Sequence, residues 1–117
     1  MEINNAGVVT GKQFSEHEVS QITSTMQINA LAPMYLTHAL LPQLGRAGKG
    51  RVLTMASAAA LVSNPNMRVY AVFKAAAMSW SGSLRLEREG NATVAVTTVS
   101  YYEEYYLAQP GTLSLTR

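Results

Sequence analysis

The chain of 117 residues contains no cysteine, which excludes disulfides and thiolate metal sites and leaves the redox compartment open. Charge is sparse. Only 14% of residues are charged and the net charge is +2, with no Lys/Arg cluster following one face. That excludes the electrostatic footprint of a nucleic-acid binder, and the charges read as solvated surface. No apolar run approaches the length needed to span a bilayer, and the N-terminus lacks a signal-peptide pattern. The expectation is a soluble, cytoplasmic chain with no membrane segment. No residue grouping points to a metal. What is present is apolar: 48% of residues are hydrophobic, enough for one small domain with a core.

Hydrophobic patterning alternates between two periods. MEIN has the look of the end of a buried strand, and Asn5-Ala6-Gly7 turns the backbone away, Gly7 suiting a tight turn or a close approach to a ligand. GKQFS (11–15) is a polar loop that Phe14 is expected to anchor to the core. A helix is expected from residues 16–20 to about Leu41, with Ile22, Met26, Leu31, Met34 and Ala39 as its apolar stripe and Pro42 ending it. Asn29 and Pro33 interrupt this helix. Because Pro33 has no N–H, the carbonyl of Asn29 loses its helical partner, which leaves either a simple kink or a free carbonyl able to hold a water. RVLTMA reads as a strand buried on both faces. Asn66 is the expected N-cap of a second helix, from about Met67 to Glu89 and closed by Gly90, with Met78 and Trp80 in the core or an interface. ATVAVTTV (92–99) is a β-branched, buried strand. Strand–helix–strand–helix–strand with long connections implies parallel crossovers, hence an α/β fold.

The second helix carries the chemistry. Tyr70 and Lys74 are four apart and so share one helical face. An ammonium beside a phenol favours the phenolate and lowers the Tyr pKa from about 10, letting it exchange a proton near neutral pH. Ser57 ends the RVLTMA strand thirteen positions before Tyr70, and a loop between them could set its hydroxyl beside the phenol. A Tyr and a Lys at this spacing also occur in helices with no catalytic role.

These residues together resemble the short-chain dehydrogenase/reductase family. Its Tyr-x-x-x-Lys is Tyr70-Ala-Val-Phe-Lys74, its upstream Ser is Ser57, its Asn-Asn-Ala-Gly is Asn4-Asn5-Ala6-Gly7 and its helical Asn is Asn29. The resemblance covers roughly residues 1–99. It implies a partial Rossmann-like parallel sheet of about three strands with two long crossover helices, the C-terminal half of a dehydrogenase domain, followed by a divergent tail (100–117). It implies NAD or NADP as cofactor, held by Asn5, Ala6, Gly7, Tyr70 and Lys74, and hydride transfer to or from a small-molecule alcohol or carbonyl substrate. In this reading Tyr70 is the acid/base, Lys74 tunes it, Ser57 orients the reacting oxygen and Asn29 maintains a water path. The segments NNAGVVTGKQFSEH and INALAPMYLTHALLP are most similar to retinol- and 17β-hydroxysteroid-dehydrogenase-like members, implying a retinoid, steroid or other lipid-like substrate.

Nothing resembling the family's Gly-x-x-x-Gly-x-Gly phosphate turn precedes Asn4. Two expectations follow. The chain is an oxidoreductase with the proton-handling residues of the family, or it is a truncated, non-catalytic fragment that pairs with a full-length relative. Self-association through the two long helices is expected in either case.

Overall fold

The computed structural model describes residues 1–101 apart from Asn64, Asn66, Asn91 and Ala92, and of Tyr101 only the backbone. The expected Asn66 cap and most of the 100–117 tail lie outside the described residues. The chain forms β1 (Glu2–Asn4), a 3₁₀ turn (Phe14–Glu16), α1 (Val19–Met26), a π turn (Gln27–Leu31), α2 (Ala32–Arg46), β2 (Gly50–Ser57), a second 3₁₀ turn (Ala58–Ala60), α3 (Arg68–Arg88) and β3 (Val94–Tyr101). The sheet is parallel, in the order β1-β2-β3. The architecture is α/β, as the alternation of periods implied. Parallel neighbours cannot be joined by a hairpin, so each connection is a helical crossover.

The core lies between the helices and one face of the sheet. Val52 of β2, Val94 and Val96 of β3 and Leu84 of α3 form one cluster, with Leu41, Leu44 and Trp80 against it. Ala30, Val69 and Phe73 form another, with Ile22 and Met26. Close packing of α2 over β2 depends on Gly50, where a Cβ would lie 2.6 Å from the Leu44 carbonyl oxygen. The opposite face of the sheet is not covered by any described helix. Val52, Thr54 and Ala56 are buried, whereas Leu53 and Met55 are half-buried and Arg51 is exposed. In β3, Val94 and Val96 are buried while Ala95, Thr97 and Val99 are exposed. The strands expected to be buried on both faces are therefore buried on one.

Three further expectations are corrected. α2 runs through Pro42 to Arg46; the proline sits on the exposed side, where water can satisfy the carbonyl it leaves unpaired. The apolar stripe of α1–α2 holds only in part: Ile22, Met26 and Leu31 are half-buried, Ile22 and Met26 against the core, but Met34 and Ala39 are exposed, and Thr25, Asn29, Pro33 and Thr37 are buried beside the stripe. Hydropathy misplaced that part of the stripe because these polar side chains are satisfied by hydrogen bonds described below. Phe14 is 59% exposed and rims an apolar groove with Ile22, Val69, Val72 and Phe73, so it lies at the edge of the core and is not buried in it. The second long helix ends where expected, at Arg88 with Glu89 as its C-cap and Gly90 next, although Gly90 closes it without a positive φ.

Candidate active site

The carboxyl ends of β1 and β2, where ligands of open parallel sheets bind, carry the site. Ser57 is the last residue of β2 and fully buried. Its Oγ accepts a hydrogen bond from the Ala59 N–H at 3.2 Å, capping the 3₁₀ turn that follows. Ala59 in turn packs against Tyr70, with Met67 and Ala71 beside them. The hydroxyl that ends the strand thus shapes the turn on which the phenol ring rests.

Tyr70 and Lys74 lie one turn apart in α3, both buried. The Lys74 ammonium is 5.8 Å from the centre of the Tyr70 ring, within range of a cation–π attraction. It donates to the Met55 carbonyl oxygen of β2 at 3.2 Å. Burial pushes the Lys74 pKa below its ordinary 10.5, since the charged form loses hydration.

Asn29 sits in the π turn, 1% exposed. The turn arises just before Pro33: with no N–H at that position the helix cannot keep its four-residue ladder, and the Ala32 N–H bonds Gln27 O, five residues back. Both polar atoms of the Asn29 side chain are paired with backbone. Its Nδ2 donates to Val8 O and Thr25 O, both at 3.0 Å, and its Oδ1 accepts from the Val8 N–H at 3.3 Å. Gly7 lies where these parts meet: a Cβ there would fall 2.9 Å from Asn29 Oδ1 and 3.3 Å from Lys74 Nζ. Asn5 and Ala6 are exposed just past β1.

The structure thus brings Gly7, Asn29 and Lys74 to one point and sets Lys74 beside Tyr70, while Ser57 reaches Tyr70 through Ala59. Sequence reasoning missed the backbone partners, Val8 for Asn29 and Met55 for Lys74. Side-chain identity gives no signal for a main-chain acceptor. The glycine required between Asn29 and Lys74 was the one available clue. Among the described residues no group of three or more His, Cys, Asp or Glu could hold a metal ion, and no helix is long and apolar enough to cross a membrane.

A parallel sheet with a serine at a strand end and a buried Tyr-x-x-x-Lys on the following helix defines a class of Rossmann-fold dehydrogenases. The short chain dehydrogenase family pattern matches residues 1–102, and the chain belongs to that family. It is 37% identical over 82 residues to human estradiol 17-beta-dehydrogenase 11, covering 70% of this chain and 27% of that protein. It is 32% identical over 109 residues to the ketoacyl reductase HetN of a Nostoc species, covering 93% of this chain and 37% of the other. Among solved structures, a bulky-bulky ketone specific alcohol dehydrogenase from Comamonas testosteroni superposes with a TM-score of 0.78 at 27% identity, over 86% of this chain and 40% of that one. The chain spans about a third of the length of the curated relatives it matches.

Proposed function

We propose that this chain supplies the proton-handling part of an NAD- or NADP-dependent oxidoreductase acting on an alcohol or ketone. The observation that carries the reading is the buried Tyr70–Lys74 pair, ammonium beside ring, at the carboxyl end of the sheet. A nicotinamide, when bound, supplies or accepts the hydride. The described residues fit its ribose: an ammonium has three donors, and Lys74 uses one of them among these residues, on Met55 O, leaving two for ribose hydroxyls. No phosphate cradle is found among the described residues, and no step is assigned to one.

In the reducing direction the Tyr70 hydroxyl gives its proton to the carbonyl oxygen as that oxygen becomes a hydroxyl, and in the oxidising direction it takes the proton back. Lys74 favours the phenolate left after proton donation. Ser57 donates a hydrogen bond to the reacting oxygen while its lone pairs keep Ala59 in place. Asn29 fixes the Val8 backbone, and the carbonyl freed by Pro33 holds a water on the route from Lys74 to solvent. Asn5, Ala6 and Gly7 line the cofactor's adenosine-side ribose. The steroid dehydrogenase and ketoacyl reductase relatives support a lipid-like alcohol or ketone as substrate.

The test is cofactor-dependent absorbance change with a panel of such alcohols and ketones. Tyr70→Phe, which keeps the ring packed on Ala59, is expected to lower turnover by about 10²-fold or more. Turnover that survives the substitution removes Tyr70 from the role.

One observation favours a second reading, pairing with another chain: the uncovered sheet face carries Ile3 at 53% exposure, with Val99 exposed and Leu53 and Met55 half-covered. Calorimetry separates the two. Heat of NADH or NADPH binding supports the enzyme, and absence of heat with retained fold supports the non-catalytic fragment.

A further inference from the structure

The alternation of β1 is inverted. Its apolar residue, Ile3, faces outward, and its polar residues, Glu2 and Asn4, are each 7% exposed and turned toward α2. They meet there on Thr37, itself 2% exposed. The Thr37 hydroxyl donates to Glu2 Oε1 at 2.7 Å and accepts from Asn4 Nδ2 at 3.2 Å. The other carboxylate oxygen, Glu2 Oε2, is buried with no partner among the described residues. Burying these groups costs more than burying an apolar pair of the same size, and what they gain in return is direction: three side chains lock into one arrangement that apolar contacts would leave free to slide.

Among the described residues, side-chain hydrogen bonds tie the helix and the first segment here and at one further point. The other is Asn29 on the Val8 backbone. Thr37 and Asn29 are eight residues apart, roughly 12 Å along a helix. Asn4 and Val8 are four apart, at most roughly 13 Å along an extended chain. A four-residue segment is thus just long enough to reach from one tie to the other, so moving one tie strains the other, and Gly7, the point of approach to Asn29 and Lys74, lies between them.

We propose that Glu2, Thr37 and Asn4 form a positioning clasp that sets the depth of α2 on β1 and thereby holds Asn29 against the Val8 backbone beside Lys74. None of the three touches the reacting groups. The clasp deepens the proposed function, since it matters for catalysis only if Asn29 and Lys74 serve that reaction, but its test needs neither cofactor nor turnover.

Amide hydrogen exchange is measured at Val8, whose N–H bonds Asn29, and at Val96 in the core strand β3. Thr37→Val, nearly isosteric and without the hydroxyl, is expected to raise Val8 exchange at least tenfold while Val96 stays within twofold of the parent. Thr37→Ser restores the parent rate. Glu2→Gln, which keeps an acceptor for Thr37, leaves Val8 within twofold, and Glu2→Met, of similar length without an acceptor, raises it as Thr37→Val does. Should Thr37→Val fail to fold, the Glu2 pair decides. Val8 rates unchanged in both Thr37→Val and Glu2→Met overturn the clasp. So does an equal rise at Val8 and Val96, or loss of fold in both variants, because the contact then serves general stability. NADH titration of the parent chain, run separately, reports on the oxidoreductase reading and is indifferent to these outcomes.

Discussion

Lys74 is a buried ammonium, and its burial has a measurable cost. Burial lowers its pKa, so between that lowered value and the ordinary 10.5 the unfolded chain binds a proton that the folded chain does not. Stability therefore rises with pH across this window and falls as pH drops through the folded pKa. Urea unfolding followed from neutral pH up to 10.5 is expected to show that rise. Lys74→Met, which fills the same space without charge, is expected to lose the part of the slope that Lys74 contributes, and an unaltered slope would show that Lys74 is well hydrated. At this scale the sequence was informative. Ser57, Tyr70, Lys74 and Asn29 could be singled out as candidates because each is a particular residue type at a particular spacing from the others. Their partners were not, because Met55 and Val8 act through main-chain atoms and any residue there offers the same carbonyl.

Helices and strands were legible in order and kind, and less so in which face they bury. In α1–α2 the expected stripe failed at Met34 and Ala39 because Thr25, Asn29 and Thr37 face inward, each with a hydrogen-bond partner. A buried polar group that finds its partner costs little, and hydropathy cannot see the partner. Pro42 misled for another reason. It stops a helix when the carbonyl it orphans is buried, but here it lies inside α2 on an exposed stretch. The proline is therefore tolerated at a cost, and Pro42→Ala, by restoring an N–H donor, is expected to stabilise the chain by about 1–3 kcal/mol. The shift of the urea midpoint measures it, and a loss of stability would mean that the proline ring packs against something essential.

At the scale of the molecule, the described residues present two kinds of apolar surface. Val19, Tyr35 and Leu36 on the α1–α2 side and Val72 and Leu86 on α3 are all more than half exposed, and these support self-association through the two long helices. Sedimentation velocity across a concentration series is expected to show a reversible shift to a larger species, and Leu36→Glu with Val72→Glu to abolish it. A parent chain that stays monomeric at all concentrations would refute that surface. The second kind of surface, the bare side of the sheet, was not visible in RVLTMA or ATVAVTTV. A run of Val, Leu and Thr is the same whether one helix layer or two will cover it, since the covering segments are not part of the run.

The side of the sheet that no described helix covers has a thermal signature. The heat capacity gained on unfolding comes mainly from apolar surface newly wetted, and Ile3, Leu53, Met55 and Val99 are already partly or largely wet in the native state. Differential scanning calorimetry should therefore return an increment below the usual 12–15 cal/mol/K per residue, approximately, for a globular domain. The dome of free energy against temperature would then be broad and shallow, and cooling would weaken this fold less than it weakens one sealed on both sides.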